Sequence, residues 1–495
     1  MNTHHTKHPP NTKQRSAIEH PPGPLMILAG AGTGKTFTLE NRIIYLIEHY
    51  KVDPQHILAI TYTEKAAKEL KNRIIDRLGP KVYNMTVSTF HSFCFNLLKE
   101  FDDSLPQLLD QSEAIHMFLE RFDQLKPFES DEFPLDPQRA VTESFIPFFN
   151  RARDELIDPT TMENPIPSDD GLINTEIANQ IKDLKRIFPL FQSWKKDINV
   201  VDYGDMILSA YKMLSSNKTL LKNVQDQYRH IIVDEFQDNN FALNTIMSLI
   251  SGNRKFITVV GDDDQVIYSF RGANSYNIQA FKERYESHKG FASIALEKNY
   301  RSSQAILDLA NASISNNTER IEKTLSAGLE MPSQKPKIFW GDKSEQVEFL
   351  ISEIQYLISE GNSFNDIAVL CRTHGQAKGI IDSLSRSHIP VQPHYKGLFN
   401  CSGVRDIIAW CQLVSGGSFQ DSALYRIIKR ECGYKTAHII FSKFNRYDPS
   451  PRYDQLKDDE EIRGVFPEIN NIVKTIKSLR SITQKRSAGE MVWDI

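Results

Sequence analysis

An apolar stretch that opens into a glycine-rich loop constrains the fold of this chain more than any other segment. Residues 24–32 read PLMILAGAG, and residues 29–36, AGAGTGKT, satisfy the pattern G-x-x-x-x-G-K-[ST] with alanine at its first position. The residues that follow, 36–50, place apolar side chains at helical spacing. In such a strand–loop–helix unit, backbone N–H groups converge on phosphate oxygens at the positive end of the helix. The segment therefore predicts a nucleotide-binding loop in an α/β fold.

The residues of this loop have distinct predicted roles. Lys35 can reach the β- and γ-phosphates, and the Thr36 hydroxyl can ligand Mg²⁺. A glycine-rich turn that binds nothing is the alternative, and the strand before it and the helix after it disfavour that interpretation. The predicted nucleotide-binding residues of the loop are Ala29, Gly30, Ala31, Gly32, Thr33, Gly34, Lys35 and Thr36.

Two acidic residues follow another apolar stretch. Residues 231–238 read IIVDEFQD, which places Asp234 and Glu235 at the C-terminal end of a predicted strand. Parallel α/β sheets bind ligands at that edge. We assign Asp234 to the metal ion and Glu235 to general-base activation of a water against the γ-phosphate. A pair of solvated loop acids is the alternative, which the nearby phosphate loop disfavours.

Short apolar strands alternate with helical patterns along most of the chain. In the second half, KIFWGD (337–342) and DIAVLCRT (366–373) are predicted strands, each followed by a helical pattern. This alternation predicts a parallel sheet covered by helices on both faces. It is interrupted by a polar, helical stretch before HIIVDE, as expected for a helical insertion between strands of one sheet. The predicted domains are 1–99 and 200–290 (first α/β domain), 100–199 (helical insertion), 291–415 (second α/β domain) and 416–495 (start of a second helical insertion).

Charge and cysteine content limit the classes of partner and compartment. A net charge of -4 gives no support for coating nucleic acid by bulk charge, although a local basic groove is compatible with it. The five cysteines are scattered without a Cys-x-x-Cys pair, which is typical of reduced thiols in a cytoplasmic protein. The N-terminal residues lack the apolar core of a secretory signal, and no apolar run is long enough to span a bilayer.

The order of several stretches carries a specific resemblance. NTKQRSAI precedes the phosphate loop; ITYTEKAAKELKNRI, VSTFHSF, IIVDEFQD, VVGDDDQVIYSFRGA and LEKNYRSS follow it. This series resembles the UvrD/Rep/PcrA group of superfamily 1 DNA helicases, over nearly the whole chain. The resemblance implies two RecA-like P-loop NTPase motor domains that sandwich ATP, each with a helical insertion. It also implies ATP hydrolysis that drives 3′ to 5′ movement on single-stranded DNA, with unwinding at junctions of single- and double-stranded DNA.

The resemblance also assigns residues outside the phosphate loop. Gln14 would read adenine, Tyr300 would stack on the base, and Arg301 would reach across from the other motor domain as an arginine finger. Aromatic faces stack bases, while Lys, Arg and hydroxyl groups contact phosphates, which agrees with the residues that the resemblance places on DNA. Those residues are Thr61, Tyr62, Lys65, Thr89, His91, Tyr268, Phe270 and Arg271.

Three consecutive aspartates, Asp262, Asp263 and Asp264, could be taken for a cation site. Calcium loops use spaced ligands and a glycine turn, so adjacent acids match them poorly. We expect the aspartates to cap a strand end and to order the loop. Gln265 follows them, and its amide can contact both the γ-phosphate and the attacking water, so we expect it to couple ATP to DNA.

Several positions depart from the family's pattern. Phe37 stands where many relatives have a basic residue, Glu64 replaces a commoner asparagine, Phe270 stands for tryptophan, and Gly204 occupies an often acidic position. The later K-G-L-E-F-like and A-L-T-R-like motifs do not occur before Ile495. The second motor domain is therefore expected to be incomplete, with sheet edges and apolar surface exposed.

Three alternatives to a complete helicase follow from this pattern. The chain could be a truncated ATP- and DNA-binding fragment that does not unwind duplexes, or the motor part of a helicase–nuclease. A nucleotide kinase without a nucleic-acid track is the third, and GDDDQ together with NYRSS disfavours it. For the helicase itself, the expected role is in DNA repair, recombination or replication.

Overall fold

The chain forms two compact units, Met1–Pro336 and Lys337–Ile495. The structure is a computed structural model, and it describes residues 9–101, 107–166, 174–267, 276–318, 320–332, 334–392, 402–415, 420–443 and 452–482. Within these residues, no helix has the length and apolar character needed to cross a membrane.

A six-stranded parallel sheet forms the centre of the first unit. The strands of this unit are β1 (Leu25–Ala29), β2 (Ile57–Thr61), β3 (Thr86–Thr89), β4 (Gln107–Leu108), β5 (Val200–Val201), β6 (His230–Val233), β7 (Ile257–Gly261), β8 (Ala292–Leu296), β9 (Lys298–Asn299) and β10 (Ser326–Ala327). The main sheet has the order β3-β2-β6-β7-β1-β8. Each neighbouring pair is parallel, so the carboxyl ends of all six strands lie at one edge.

Helices connect the strands of the first unit. They are α1 (Thr12–Glu19), α2 (Lys35–Glu48), α3 (Glu64–Leu78), α4 (Phe90–Phe101), α5 (Gln111–Glu120), α6 (Pro137–Arg139), α7 (Ile146–Asp154), α8 (Thr175–Asp197), α9 (Tyr203–Ser216), α10 (Lys218–Gln227), α11 (Phe241–Ser251), α12 (Tyr276–Tyr285) and α13 (Gln304–Ile314). A π-helical turn, Ala140–Phe145, joins α6 to α7.

Successive residues of the strands contribute to opposite sides of the sheet. Leu25 and Ile27 of β1 pack in a buried cluster with α1, α2 and α3. Met26 and Leu28 pack in a second buried cluster with α4 and α9 to α12. Because both faces are covered, the central strands are apolar throughout. This arrangement confirms the predicted α/β fold with a parallel sheet between two helical layers.

A helical segment interrupts the sheet between β3 and β6. The short strands β4 and β5 pair at its base, and helices α5 to α8 lie between them in the chain. Its centre is aromatic, with Phe118 and Phe191 ring centroids 4.5 Å apart and Phe145 in edge contact with Phe118. The polar sequence therefore still supplies a packed core, and the insertion predicted for residues 100–199 covers this segment.

The last strand of the main sheet lies beyond the predicted boundary of the first domain. β8 pairs with β1 over five residues, from Leu25 with Ala292 to Ala29 with Leu296. The predicted second domain began at residue 291, whereas the compact unit extends to Pro336. The difference arises because β8 completes the edge of the first sheet, a long-range pairing that the local pattern does not specify.

The second unit is helical in its described residues. Its helices are α14 (Lys343–Ser359), α15 (His374–Arg386), α16 (Ser402–Ser415), α17 (Gln420–Cys432), α18 (Tyr434–Lys443), α19 (Arg452–Asp458), α20 (Glu460–Val465) and α21 (Glu468–Ile482). Helices α16 to α21 share one buried cluster, and α14 packs with α15 in a smaller one.

Two segments of this unit that the sequence predicted as strands, 337–342 and 366–373, contain no strand. A strand requires a hydrogen-bonded neighbour, and the described part of this unit supplies none. Some of their apolar side chains are left open to solvent: Trp340 is 88% exposed and Leu370 is 95% exposed, whereas Ile367 packs against the cluster of α14 and α15. The expected exposure of apolar surface in the second domain is therefore observed.

Candidate nucleotide site and strand-end surface

The glycine-rich loop lies between β1 and α2. β1 ends at Ala29 and α2 begins at Lys35. Gly32 and Gly34 have φ angles of 75° and 85°, in the left-handed region that favours glycine. A Cβ atom on Gly34 would lie 2.8 Å from Nε2 of Gln14, so this position also requires glycine for space. The turn brings the unpaired N–H groups of the first turn of α2 to the carboxyl edge of the sheet, where an anion can bind.

The other predicted loop residues lie in the same turn. Thr33 is buried, and its N–H and hydroxyl both donate to the Gly30 carbonyl, at 3.3 and 2.8 Å. This contact closes the loop on itself. Ala31 and Thr36 are exposed. The Thr36 hydroxyl, on the first turn of α2, is therefore accessible to a ligand.

Lys35 and Glu235 form an ion pair across the site. Lys35 Nζ lies 2.7 Å from Glu235 Oε2. Glu235 follows β6 with a φ of 49°, a left-handed conformation that is uncommon for a residue with a side chain. Such conformations cost about 1–3 kcal/mol and persist only where the surroundings impose them. The backbone thus turns this carboxylate toward the phosphate loop.

Asp234 lies at the end of β6 beside the ion pair. Its N–H donates to the Ile60 carbonyl at 2.9 Å, and one carboxylate oxygen accepts from the Glu235 N–H at 3.0 Å. Burial raises the pKa of Asp234 to about 6, and the nearby charge of Glu235 adds to the effect. The half-buried Asp234 carboxylate, with the charge of Glu235 nearby, forms together with the Thr36 hydroxyl a donor set that fits Mg²⁺.

A chain of hydrogen bonds extends from this ion pair to Gln265. Gln237 Nε2 donates to Glu235 Oε2 at 2.9 Å, and Gln237 Oε1 accepts from the Asp262 N–H at 3.0 Å. Asp262 in turn accepts a hydrogen bond from the Gln265 side-chain amide. A Cβ on Gly261 would lie 2.7 Å from Gln237 Oε1, so glycine there permits the approach. Three of the predicted catalytic residues, Lys35, Glu235 and Gln265, are joined by this network.

The predicted adenine-reading residue, Gln14, is buried against the phosphate loop. Its Nε2 donates to the Thr33 carbonyl at 3.0 Å. Gln14 also forms a capping box with Asn11 at the start of α1. The side chain of Asn11 donates to the Tyr300 hydroxyl at 2.8 Å. The two residues predicted to bind the base, Gln14 and Tyr300, therefore both adjoin the start of α1.

The turn after β9 packs directly on the phosphate loop. Tyr300 N–H donates to the Gly32 carbonyl at 2.9 Å, and Asn299 Nδ2 donates to the Ala31 carbonyl at 2.5 Å. Asn299 Oδ1 accepts from the N–H of Arg301 at 2.8 Å. Arg301 therefore lies in the same compact unit as the loop, and its expected approach from another motor domain stays a prediction.

A second group of predicted residues lies at the ends of β2 and β3. Thr61 is paired in register with Thr89, so both occur at the carboxyl edge. The Thr61 hydroxyl donates to the Thr63 carbonyl at 3.1 Å. Lys65 on α3 is exposed, and so is His91 on α4, whose ring lies edge-on to Tyr203 at 5.3 Å. Tyr62 follows β2 directly. β6 and β7 separate this group from the phosphate loop.

Glu64 organises the hydroxyl groups of this edge. It accepts hydrogen bonds from Ser92 Oγ at 2.6 Å and Thr89 Oγ1 at 2.7 Å. These hydrogen bonds, from Ser92 and then Thr89, lower the pKa of Glu64. An ionised carboxylate thus lies within the predicted DNA contacts. Tyr268, Phe270 and Arg271, also predicted there, lie outside the described residues.

Sequence reasoning missed two residues that connect the site. Gln237 and Asn299 each bridge segments that are distant in the chain, and both belong to stretches on which the prediction relied, IIVDEFQD and LEKNYRSS. The chemistry of their charged and aromatic neighbours is recognisable in the sequence without knowledge of a partner. A buried amide reveals its role only when its hydrogen-bond partners are known.

In this parallel sheet the phosphate loop follows β1 and the acidic pair follows β6, with β7 between the two strands. This arrangement defines a P-loop nucleotide-binding fold. The chain belongs to the UvrD/REP helicase family: the family model of the UvrD/REP helicase N-terminal domain matches residues 10–286. A UvrD-like helicase C-terminal domain matches residues 294–447.

Individual relatives agree with this family. The chain is 31% identical to DNA helicase II of Haemophilus influenzae over 444 residues, 87% of this chain and 58% of that protein. It is 30% identical to ATP-dependent DNA helicase PcrA of Staphylococcus aureus over 479 residues, 95% of this chain and 63% of that protein. The chain thus spans 58 to 63% of the length of these curated relatives.

Proposed function

We propose that this chain is an ATP-hydrolysing DNA motor that moves 3′ to 5′ on single-stranded DNA and unwinds duplexes at junctions. The network from Lys35 through Glu235 and Gln237 to Gln265 carries this proposal. It joins a phosphate-binding residue to the turn that precedes the predicted DNA contacts at 268–271. DNA repair, recombination or replication is the proposed setting, and a cytoplasmic location agrees with the free thiols of the described cysteines.

The residues of the site would divide the hydrolytic work. Lys35 and the N–H groups of α2 bind the phosphates, and Glu235 takes the proton of the attacking water. Thr36 and Asp234 would hold Mg²⁺, which when bound neutralises charge on the phosphate oxygens. In the free protein the Lys35 ammonium is held by Glu235. Binding of ATP would draw Lys35 to phosphate and leave Glu235 free to act as a base.

A second surface would contact the DNA. Thr61, Tyr62, Lys65, Thr89 and His91 lie at the adjoining ends of β2 and β3 and the starts of α3 and α4. Thr61 and Thr89 are buried and their hydroxyls donate to Thr63 and Glu64, so they would shape this edge. Tyr62, Lys65 and His91 would make the side-chain contacts, lysine with phosphates and the rings with bases.

ATP-dependent binding or movement on a single strand without unwinding is a second candidate function. The segments 337–342 and 366–373 favour it, because they form no strand and expose Trp340 and Leu370, so the described residues give no support for a complete second α/β domain. A duplex with a 3′ single-stranded tail distinguishes the two. Separation of its strands supports the unwinding motor, whereas ATP hydrolysis stimulated by oligo-dT without strand separation supports the second candidate.

We expect single-stranded DNA to stimulate ATP hydrolysis by the 495-residue protein, and Lys35→Ala to reduce that hydrolysis by at least about 100-fold. The ammonium that binds the phosphates is lost, while the fold around β1 keeps its apolar packing. Lys282→Ala on α12 is the control and should leave the rate unchanged. Phosphate release with and without oligo-dT measures the effect. A hydrolysis rate that is the same with and without DNA, or that is unchanged in Lys35→Ala, contradicts the proposal.

Direction of movement has its own test. The substrates are single-stranded oligonucleotides that carry streptavidin on a biotin at one end. We expect ATP to speed displacement of streptavidin from the 5′ end and not from the 3′ end. The reverse result would leave the ATPase proposal intact and reject the 3′ to 5′ direction.

The carboxylate of Glu64 should weaken DNA binding, because it places a negative charge beside the predicted phosphate path. We expect Glu64→Gln to tighten binding of oligo-dT roughly threefold at low salt, as for one unit charge removed at a solvated site. Glutamine still accepts the Thr89 and Ser92 hydroxyls, so the local structure is kept. Fluorescence anisotropy measures the affinity. Glu69→Gln, farther along α3, is the matched control, and an equal gain there would attribute the effect to overall charge.

A further inference from the structure

The three aspartates after β7 surround a lysine. Lys323 Nζ lies 2.9 Å from Asp262, 2.5 Å from Asp263 and 2.7 Å from Asp264. The Lys323 side chain is only 3% exposed. Carboxylate oxygens of the three residues lie within 4.8 Å of one another, a spacing that could also hold a metal ion. The cation among them in this protein is its own ammonium group.

A second cation completes the cluster. Arg320 Nε and Nη2 donate to the two oxygens of Asp264 at 2.8 and 2.7 Å, a bidentate contact. The N–H of Ile321 donates to Asp263 at 2.6 Å. Burial alone would lower the pKa of Lys323, and the aspartates outweigh it and raise the pKa. Residues 320–323 therefore bind the aspartates by charge and by backbone.

Asp262 connects this cluster to Gln265. One of its oxygens contacts Lys323, and the other accepts the side-chain amide of Gln265. The Gln265 N–H also donates to the Asp262 carbonyl at 3.0 Å. Since Asp262 is almost fully buried, the direction of its carboxylate depends on these partners. Lys323 thus orients the group that orients Gln265.

Residues 320–323 are also tied to the other side of the nucleotide site. They precede β10, which pairs with β9, so that Ala327 lies in register with Asn299. The N–H of Gly328 donates to the Asn299 carbonyl at 2.7 Å. Asn299 binds the phosphate loop and the backbone of Arg301. One short connection therefore joins the Gln265 turn to the turn that carries Tyr300 and Arg301.

We propose that Lys323 is a positioning residue for nucleotide hydrolysis: its ammonium fixes the Asp262 carboxylate, which holds the Gln265 amide in place for the terminal phosphate and the attacking water. This inference rests on the proposed ATPase function. It gives the three aspartates a role in positioning Gln265 in place of metal binding. A residue that acts only through Gln265 should affect turnover more than ATP binding.

The test compares Lys323→Met with Lys323→Arg in the 495-residue protein. We expect the methionine variant to lower kcat for DNA-stimulated hydrolysis at least tenfold and to change KM for ATP less than threefold. The arginine variant, which keeps the charge, should recover most of the loss. Lys337→Met, the same change at an exposed ion pair with Glu353, should match the unchanged protein.

A double-mutant cycle locates the effect at Asp262. If Lys323 acts through this residue, Lys323→Met combined with Asp262→Asn should cost no more than the larger single loss. Additive losses in the double mutant would overturn the inference. So would a kcat of Lys323→Met within twofold of the unchanged protein, or a rise in its KM that accounts for the lost kcat/KM. Should Lys323→Met fail to fold, Asp262→Asn tests the same contact from its other end with the same kcat and KM criteria.

Hydrogen exchange separates this inference from the ATPase proposal. Amides 262–267 should exchange at least tenfold faster in Lys323→Met, while those of β1 stay unchanged. If the unchanged protein hydrolyses no ATP, the proposed function fails. If Lys323→Met leaves the exchange of amides 262–267 unchanged, the positioning role of Lys323 is rejected, whatever the ATPase result.

Discussion

Glu235→Gln is expected to lower ATP hydrolysis by about 10²–10⁴-fold, the usual contribution of a positioned general base. Glutamine preserves the shape of the side chain and can still accept from Lys35 and Gln237, but it cannot take a proton from water. Single-turnover hydrolysis with saturating DNA measures the loss. The backbone at residue 235 is already held in a left-handed conformation, so this substitution tests the carboxylate with little disturbance of the turn.

Binding of ATP should survive this substitution and become tighter. In the free protein Glu235 holds Lys35 at 2.7 Å, so the carboxylate competes with phosphate for the ammonium. Removing its charge removes that competition. A fluorescent ATP analogue measures the affinity, and Glu283→Gln on the exposed face of α12 is the control. Hydrolysis within threefold of the unchanged protein would place the base elsewhere, and loss of ATP binding would make Glu235 a nucleotide ligand.

The largest expected effect on stability comes from Arg153→Met, at a buried charge cluster. Arg153 is 2% exposed and lies 2.7 Å from Asp202 and 2.8 Å from Asp205. Lys195 contacts the same two carboxylates, so two cations balance two anions. Removing one partner of a buried ion pair leaves an uncompensated charge, which costs about 3–5 kcal/mol. We expect a loss of this size in the free energy of unfolding by urea.

The pH dependence of this effect follows from Asp202. Burial alone would raise the pKa of Asp202, but Arg153 and Lys195 outweigh burial and hold it at about 2. A carboxyl whose folded pKa is below its unfolded pKa stabilises the fold above the unfolded value, about 4, and loses this contribution as pH falls toward 2. The difference in stability between Arg153→Met and the unchanged protein should therefore shrink as pH falls from 5 toward 2.

Two controls accompany this prediction. Arg139→Met removes an exposed pair with Glu143 and should leave the free energy of unfolding almost unchanged. Arg153→Met combined with Asp205→Asn restores the charge balance and should recover part of the loss. A cost below 1 kcal/mol for Arg153→Met alone would mean that water or rearrangement compensates Asp202 and Asp205.

The same cluster explains one departure from the family's pattern. A Cβ atom on Gly204 would lie 2.6 Å from Nε of Arg153. An acidic side chain, which relatives often have at this position, would have to displace the guanidinium from its two aspartates. Glycine leaves room for Arg153 above the first turn of α9. The sequence marked the position as unusual, but only the packing supplied the reason.

Much of the sheet and the position of the proposed nucleotide site were predictable, because the signals are local. The apolar strand before Ala29, the glycines at 32 and 34 and the helix from Lys35 are neighbours in the chain. Their backbone conformations and side-chain spacing determine a phosphate loop whatever surrounds it. The acids after β6 were equally visible, since an apolar strand that ends in Asp-Glu places them at the ligand-binding edge.

Other features were out of reach because the segments that pair in the fold are distant in the chain. β8 joins the first sheet through β1, which precedes it by more than 260 residues. The segments 337–342 and 366–373 have strand-like sequences, yet no strand forms without a neighbour. Apolar alternation indicates that a segment can pair, and the choice of partner depends on the packed fold.

The sequence by itself determined the phosphate loop, the acidic strand end, the two-sided parallel sheet and the family, because spacing along the chain and backbone preference specify them. Only the tertiary structure decided how these parts connect. Glu235 holds Lys35 across 200 residues, Gln237 reaches Asp262, and Asn11 meets Tyr300. The three aspartates, an apparent cation site in the sequence, hold Lys323. A buried polar group needs a hydrogen-bond or ion-pair partner, and the packed fold decides which partner lies within reach.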